Sequence, residues 1–463
     1  MHMSPLGRDP RPARMVIAAL VAFVLTAVRP AVAPGATLRA QAANDSTPVQ
    51  KRTAQIVEML NGAPLDLDTM FTSTFLSQVP AARLQAAVAQ MTAQTGSVVS
   101  IATLAAPVVG DANSARFRFT TSKNFAIPVT IHVAAAPPNR IDGILFGAPT
   151  PLAANLDAVA ASLRALHGHV SFMVSRVDNG SLVPLAEADS ARALGIGSAF
   201  KLYILAELVR EVAAGERRWT DLVTLDSARR SLPSGVTQAW PAGAPVTLQT
   251  LATLMISQSD NTAADALLHA LGRERVERIQ ARVGTVTPAR NMPFLSTREM
   301  FVLKSPAGAA LMAQFKTGDV AARRVVLAEA DHVPQADVNP DFSAGPVAID
   351  SIEWFASAAD LSRAMLWLRD HTGTAMTAPA RAILAVNPGL NLSGGEWTYV
   401  GYKGGSEPGV LDLTLLLWHR SGAWYIVSAT WNDPARVVDE ATLIGLVQRA
   451  VDLVGAGSAA GGH

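Results

Sequence analysis

The chain has 463 residues, is 49% hydrophobic and 16% charged, and carries a formal net charge of +1 and no cysteine. That is enough chain for two domains with a large core, and the near-zero charge argues against a nucleic-acid partner. Without cysteine there are no disulfides, no thiolate metal site and no lipidated N-terminal cysteine. Lysines are scarce, only Lys51, Lys123, Lys201, Lys304, Lys316 and Lys403, so a lysine inside a motif stands out.

The N-terminus reads as an export signal covering residues 1–42. Arg8, Arg11 and Arg14 precede an apolar run from Met15 to Val28, broken only by Thr26. The run is short for a permanent membrane span. Ala40-Gln-Ala42 offers a small-x-small cleavage site; Ala31-Val-Ala33 offers another, but Pro34 follows it. Cleavage after Ala42 removes five arginines and Asp9 and leaves a formal charge of −3. The expectation is an extracytoplasmic protein, periplasmic or secreted. It would touch a membrane only through this segment, if the segment stays uncleaved.

Residues 43–149 read as a small α+β domain. Leu84, Val88 and Met91 recur at helical spacing between Pro80 and Gly96. Val98 to Val109, Ala115 to Thr121, Ile127 to Ala134 and Arg140 to Phe146 read as strands, with turns at Asp111-Ala-Asn113 and Pro137-Pro-Asn139. The order, a helix and then a strand meander, resembles cone-shaped, steroid-isomerase-like domains. All four tyrosines and all eight tryptophans lie beyond residue 200, so the domain lacks the tyrosine of an isomerase oxyanion site. Asp66, Asp68, His132 and Asp142 remain as scattered polar residues, and no independent chemistry is expected of this domain.

Gly147 to Pro151 is the natural linker, and a second domain is expected over 150–455. A helix over 152–166 leads into strands His169 to Val177 and Ser181 to Ala186, joined at Asp178-Asn-Gly180, a hairpin signal. Gly195-Ile-Gly-Ser198-Ala-Phe-Lys201 follows. On a helix this spacing puts the Ser198 hydroxyl and the Lys201 amine on one face, near free backbone N–H groups. A neutral amine there can take the serine proton and make a nucleophile. Further on, an apolar helical face over Leu248 to Met255 is broken by Ser259-Asp260-Asn261. Alone, this is an ordinary helix N-cap. Val400-Gly-Tyr-Lys403-Gly404-Gly405-Ser406 sets a lysine beside glycines that let another backbone or a substrate approach closely. Strands Leu411 to His419 and Ala423 to Trp431 and a helix over 439–454 come after it, and 456–463 read as a flexible tail. Strands at both ends with helices between predict an antiparallel sheet flanked by helices.

Ser-x-x-Lys, Ser-Asp-Asn and Lys-x-Gly, in that order, resemble the penicillin-recognising serine hydrolases. The run from Met255 to Leu271 is especially similar to class A β-lactamases. The resemblance implies an α+β two-domain chain whose second domain is a β-lactamase-like α/β sandwich. It also implies roles. Ser198 is the acylated nucleophile, Lys201 its base or activator, and Ser259 passes a proton to the leaving nitrogen. Asn261 binds the substrate's side-chain amide, and Lys403 tunes the site and attracts a substrate carboxylate. The backbone N–H groups of Ser198 and Ser406 form the oxyanion hole, with Gly405 beside them. Lys316-Thr-Gly318 matches the third motif better as letters, but it follows a helical run and Asp319 opens another helix, so Lys403 is preferred.

Two departures from the family pattern stand out. Gly404 replaces the usual threonine or serine, which removes a hydroxyl expected to touch a substrate carboxylate; either Ser406 compensates or the substrate differs. The class A deacylation glutamate, followed by Leu-Asn, is missing. Glu299 lies in the right region and is the candidate deacylation base, but Phe301-Val-Leu303 follows it. A surface glutamate on a helix starting near Thr297 is the alternative. Pro288 to Ile352 is a long replacement segment. Together the parts resemble the two-domain serine hydrolases associated with clavulanic-acid pathways. The expected activity is acyl-enzyme hydrolysis, with β-lactam ring opening as the first expectation, of a small β-lactam, ester or peptidoglycan-like substrate, with no cofactor and no metal. The alternatives are an esterase, a D-alanyl-D-alanine peptidase, or a sensor that acylates without turnover.

Overall fold

Two five-stranded antiparallel sheets organise the computed structural model, which describes residues 47–103 and 113–460 apart from 124, 148, 391, 393 and 394. The expected export segment, and residues 104–109 of the first expected strand, lie outside the described residues.

The first sheet belongs to the small N-terminal unit. Its strands β1 (Val98–Thr103), β2 (Ser114–Thr121), β3 (Phe125–Val133) and β4 (Ile141–Phe146) pair in sequence order. Along β3, Ile127, Val129, Ile131 and Val133 are buried, the period of two that sends alternate side chains to one face. They pack with Ile56, Phe71, Leu84 and Phe119 under helices α1 (Pro48–Leu60) and α2 (Ala81–Thr95). The sequence reading omitted α1. Its signal was present: Thr47 and Gln50 form a reciprocal capping box around Pro48. Thr150–Pro151, expected as linker, instead pairs with Phe125 and Ala126 on the edge of β3.

In the second unit, helix α3 (Leu156–Arg164) precedes strands β5 (His169–Asp178) and β6 (Ser181–Ala188). Strands β7 (Trp397–Glu407), β8 (Val410–His419) and β9 (Trp424–Asn432) come from the far end of the chain. They assemble in the order β7-β8-β9-β5-β6, so the two ends of the domain form one sheet, as the strand positions predicted. In β8, Val410 to Leu417 are all buried, as befits a strand covered on both faces. One face packs on α3 and on the last helix, Glu440–Ala460, through Leu163, Phe172, Leu415, Val427 and Val447. That helix continues through 456–460, so most of the expected flexible tail is helical. The other face, through Leu416 and Ile426, packs on α4 (Lys201–Ala213) and the other helices of the domain. α5 (Leu248–Ser257) and α6 (Asn261–Leu271) belong to this helical layer. The replacement segment contributes α7 (Thr297–Lys304) and two more helices, Ala309–Thr317 and Val320–Ala330.

Candidate active site

Ser198 sits in a single 3₁₀ turn, Gly197–Phe200, that runs directly into α4, whose first residue is Lys201. Phe200 anchors the turn by stacking on buried Trp354, ring centroids 3.7 Å apart. The first-turn N–H groups have no partner inside a helix. Strand β7 lies against them. A Cβ on Gly405 would fall 2.4 Å from the Ser198 nitrogen, and one on Gly197 would fall 2.9 Å from the Ser406 nitrogen. Only glycine permits this approach, and Gly197 also takes a positive φ of 49°. The two N–H groups expected to form the oxyanion hole are thereby adjacent.

Four polar contacts converge on the Lys201 amine. Nζ donates to the Ser259 carbonyl at 2.6 Å and to Asn261 Oδ1 at 2.7 Å, and it lies 3.1 Å from Ser198 Oγ and 3.2 Å from Ser259 Oγ. Burial holds its pKa well below the ordinary lysine value, and the nearby Lys403 charge lowers it further; Asp260 and Asp265 pull the other way. A neutral amine has two N–H groups and one lone pair. The two shortest contacts use the N–H groups, which leaves the lone pair to accept from Ser198.

Ser259 occupies the gap between the two lysines. Lys403 Nζ donates to Ser259 Oγ at 3.1 Å and also to the Gly404 carbonyl. Ser259 adopts φ 54°, a left-handed conformation that costs a non-glycine residue on the order of 1–3 kcal/mol. Its neighbours hold it there. Buried Asp260 caps α6 at Ala263 N and accepts from Val236 N, Thr237 N and Thr237 Oγ1. Ser234 Oγ donates to the Ser259 carbonyl at 2.7 Å. Neither Ser234 nor the clamp on Asp260 was foreseen from sequence, because the 231–240 loop carries no periodic signal.

Asn261 is 3% exposed, and most of its amide serves the protein. Oδ1 accepts from Lys201, and Nδ2 donates to the Leu232 carbonyl at 3.1 Å. One amide hydrogen is left for the expected substrate contact. Lys403 is buried, and burial brings its pKa down to about 7 against the pull of Asp412. Lys316 is exposed in the last turn of its helix, with no place in the cluster.

Glu299, the candidate deacylation base, is bound up inside the protein. It is 1% exposed, and both oxygens are engaged. Arg273 donates to Oε2 at 2.9 Å and to Oε1 at 2.6 Å, and Ser296 N donates to Oε2 at 2.7 Å in a capping box that starts α7. It is neither a surface residue nor a carboxylate with a face turned to water; it holds a helix end. Two other groups fix the same helix. Asp265 accepts from Thr297 N and Arg298 N at its start. Lys304 at its end pairs with Glu407 at the end of β7. Beside Glu407, burial and the Glu407 charge hold the Glu353 carboxyl well above the usual range.

The comparisons agree with this geometry at the level of family. A model described as the beta-lactamase enzyme family matches residues 151–382, half of the chain. The chain belongs to the β-lactamase enzyme family. The matched span holds Ser198, Lys201, Ser259 and Asn261 and stops short of Lys403, so strand β7 of this β-lactamase-like domain is placed by structure alone. A solved β-lactamase from Sphaerobacter thermophilus is similar at 20% identity, over 65% of this chain and 96% of that one, TM-score 0.46. One from Xanthomonas campestris is similar at 19% identity, over 65% and 99%, TM-score 0.45. PBP-A is similar at 15% identity, over 63% and 92%, TM-score 0.44. No curated protein matches the chain.

Proposed function

We propose that this β-lactamase-family chain is an exported serine hydrolase that works through an acyl-enzyme at Ser198. The observation that carries the reading is the Lys201 amine, buried, 3.1 Å from Ser198 Oγ and hydrogen-bonded on its other sides. Lys201 takes the hydroxyl proton as Ser198 attacks a carbonyl carbon. The N–H groups of Ser198 and Ser406 receive the developing oxyanion. Ser259, in contact with both lysine amines, returns a proton to the leaving atom. Water then frees the acyl group.

Family membership makes β-lactam ring opening the first reaction to test. The engagement of Glu299 favours a second reading, an ester hydrolase or a protein that releases its acyl group slowly. Export rests on the basic and apolar N-terminal segment. The small unit reads as a steroid-isomerase-like accessory domain, from its helices followed by a four-strand meander.

The test is incubation of the mature protein with a penicillin, a cephalosporin and a simple aryl ester, following intact mass and product. Turnover that vanishes in Ser198→Ala supports the reading, and a long-lived adduct without product places the chain among slow-releasing acceptors. Undiminished hydrolysis by Ser198→Ala sinks the mechanism.

A further inference from the structure

The two N–H groups of the oxyanion hole come from different parts of the chain. Ser198 N belongs to the turn that opens α4, and Ser406 N belongs to β7. β7 is an edge strand, paired only with β8. Among the described residues no backbone hydrogen bond joins it to the 197–200 turn. The sheet fixes one side of β7 and leaves its distance from the nucleophile to side chains.

Glu407, the residue after Ser406, supplies such a contact. Its side chain is 7% exposed and pairs with Lys304, whose side chain is fully buried at the end of α7. It also meets Glu353. The two carboxyls hydrogen-bond each other, and Glu353 Oε1 and Glu407 Oε2 are buried with no other partner. Two carboxylates cannot share such a bond, so one of them carries a proton. Burial and the Glu407 charge keep it on Glu353. One ammonium, one carboxylate and one carboxylic acid then sum to zero charge.

Glu353 carries the chain of contacts to the other wall of the hole. Its Oε2 accepts from Trp354 N at 2.8 Å, and the Trp354 carbonyl accepts from Ile196 N at 3.0 Å. Phe355 pairs with Gly195. A Cβ on Gly195 would fall 3.1 Å from Glu353 Cγ, so Glu353 lies directly against the backbone that enters the nucleophile turn. A run of polar contacts leads from α7, through the end of β7, to the base of the Ser198 turn.

We propose that Lys304, Glu407 and Glu353 are positioning residues that hold the Ser406 N–H at its working distance from the Ser198 N–H. The proposal rests on the acyl-enzyme reading of Ser198 and adds to it a tether for the oxyanion hole. Donors in such a hole act only within hydrogen-bond reach of the developing oxyanion, and a shift of about 1 Å can cost about 10²-fold in rate.

A matched pair of substrates tests it: p-nitrophenyl phenylacetate and its thionoester, with sulfur in place of the carbonyl oxygen. Sulfur accepts hydrogen bonds weakly. Each kcat/KM is normalised to the hydroxide-catalysed rate, so the oxygen-to-sulfur ratio reads the two N–H donors, and acylation of Ser198 is followed by intact mass. The wild-type protein is expected to favour the oxygen ester by about 10²-fold or more. Lys304→Met with Glu407→Met removes both charges together, which spares the fold an unpaired buried charge. This double variant is expected to cut the ratio by about tenfold or more, through the oxygen ester's rate. Glu353→Leu is expected to cut it as well, and Glu353→Gln, which keeps a neutral donor facing Glu407, to restore most of it. Both rates falling together at an unchanged ratio is a structural defect alone and overturns the proposal. A wild-type ratio near one overturns it too, even if no variant folds. If Glu353→Gln acylates but no longer releases product, Glu353 is a deacylating base and its positioning role is overturned. Neither turnover nor mass shift of the wild-type protein with the oxygen ester overturns the Ser198 reading itself; Ser198 acylated with an unchanged ratio in the variants overturns only the tether.

Discussion

The Ser198–Lys201–Ser259–Lys403 cluster and helix α7 are both built from buried charged and hydroxyl side chains, but they use them oppositely. In the cluster, polar atoms point at one another and towards a half-buried serine hydroxyl, and Lys201 keeps a lone pair for its proton. Around α7, Glu299, Asp265 and Lys304 spend their polar atoms on Arg273, Ser296, Thr297, Arg298 and Glu407. The right residue type is therefore not the same as an available one. A carboxylate serves as a base only if an oxygen faces water or substrate, and neither oxygen of Glu299 is left to do so.

The sharpest way to break this contrast is Lys201→Met, nearly isosteric and unable to accept a proton. Loss of an activating base is expected to slow acylation by about 10²–10⁴-fold, read as the second-order rate of adduct formation. A smaller effect than tenfold would transfer the base role elsewhere. The pH profile supplies a partner measurement. Because Lys201 titrates well below the ordinary lysine range, the rate rises with pH as the amine loses its proton, and the acid limb falls well below pH 10. A limb at ordinary lysine pH would mean that the amine is not desolvated in solution.

Glu299→Gln probes the other region. Removing one partner of a buried ion pair is expected to cost about 3–5 kcal/mol of stability, measured by urea unfolding, with kcat per folded molecule unchanged. Arg273 is the less enclosed partner, with 17% side-chain exposure, which places the expectation at the lower end of that range. If deacylation instead stalls while stability holds, Glu299 is the base after all and the contrast between the regions collapses.

These outcomes bear on what the amino-acid sequence discloses by itself. The meeting of Ser198 and Lys201 was legible because three short motifs recur in a fixed order, and each sits where an element begins or ends. The sheet was legible because β5, β6, β8 and β9 are long apolar runs bounded by turn residues. The role of Glu299 was not legible, because Arg273 lies 26 residues away in the chain and no local pattern pairs them. α1 was overlooked although Thr47 and Gln50 announce its start. Asp412 was overlooked too, although a carboxylate inside Val410-Leu-Asp-Leu-Thr-Leu-Leu-Leu is conspicuous once the strand is known to be covered on both faces.

A paired measurement separates the two lysine motifs. Lys403→Ala removes the donor to Ser259 Oγ and is expected to lower kcat/KM by about 10²-fold, within the range of a single polar group lost from a catalytic site. Lys316→Ala, exposed on a helix end, is expected to change it less than twofold, as a surface substitution away from the site. The reverse order would move the third motif out of β7 altogether.

The smallest expected effect is the most specific. Ser234 touches no reacting atom; its hydroxyl bonds the Ser259 carbonyl, the same oxygen that accepts from Lys201. Ser234→Ala is expected to cost about 1 kcal/mol of stability, the net worth of one hydrogen bond. Its larger consequence lies in the strained turn. With one restraint gone, Ser259 relaxes from its left-handed conformation and its hydroxyl leaves the line between the lysines. Acylation by an ester with a good leaving group, which needs no returned proton, should then hold, while acylation by an amide or lactam falls. Equal losses on both would show that the Ser259 hydroxyl positions Lys201 rather than serving the leaving atom.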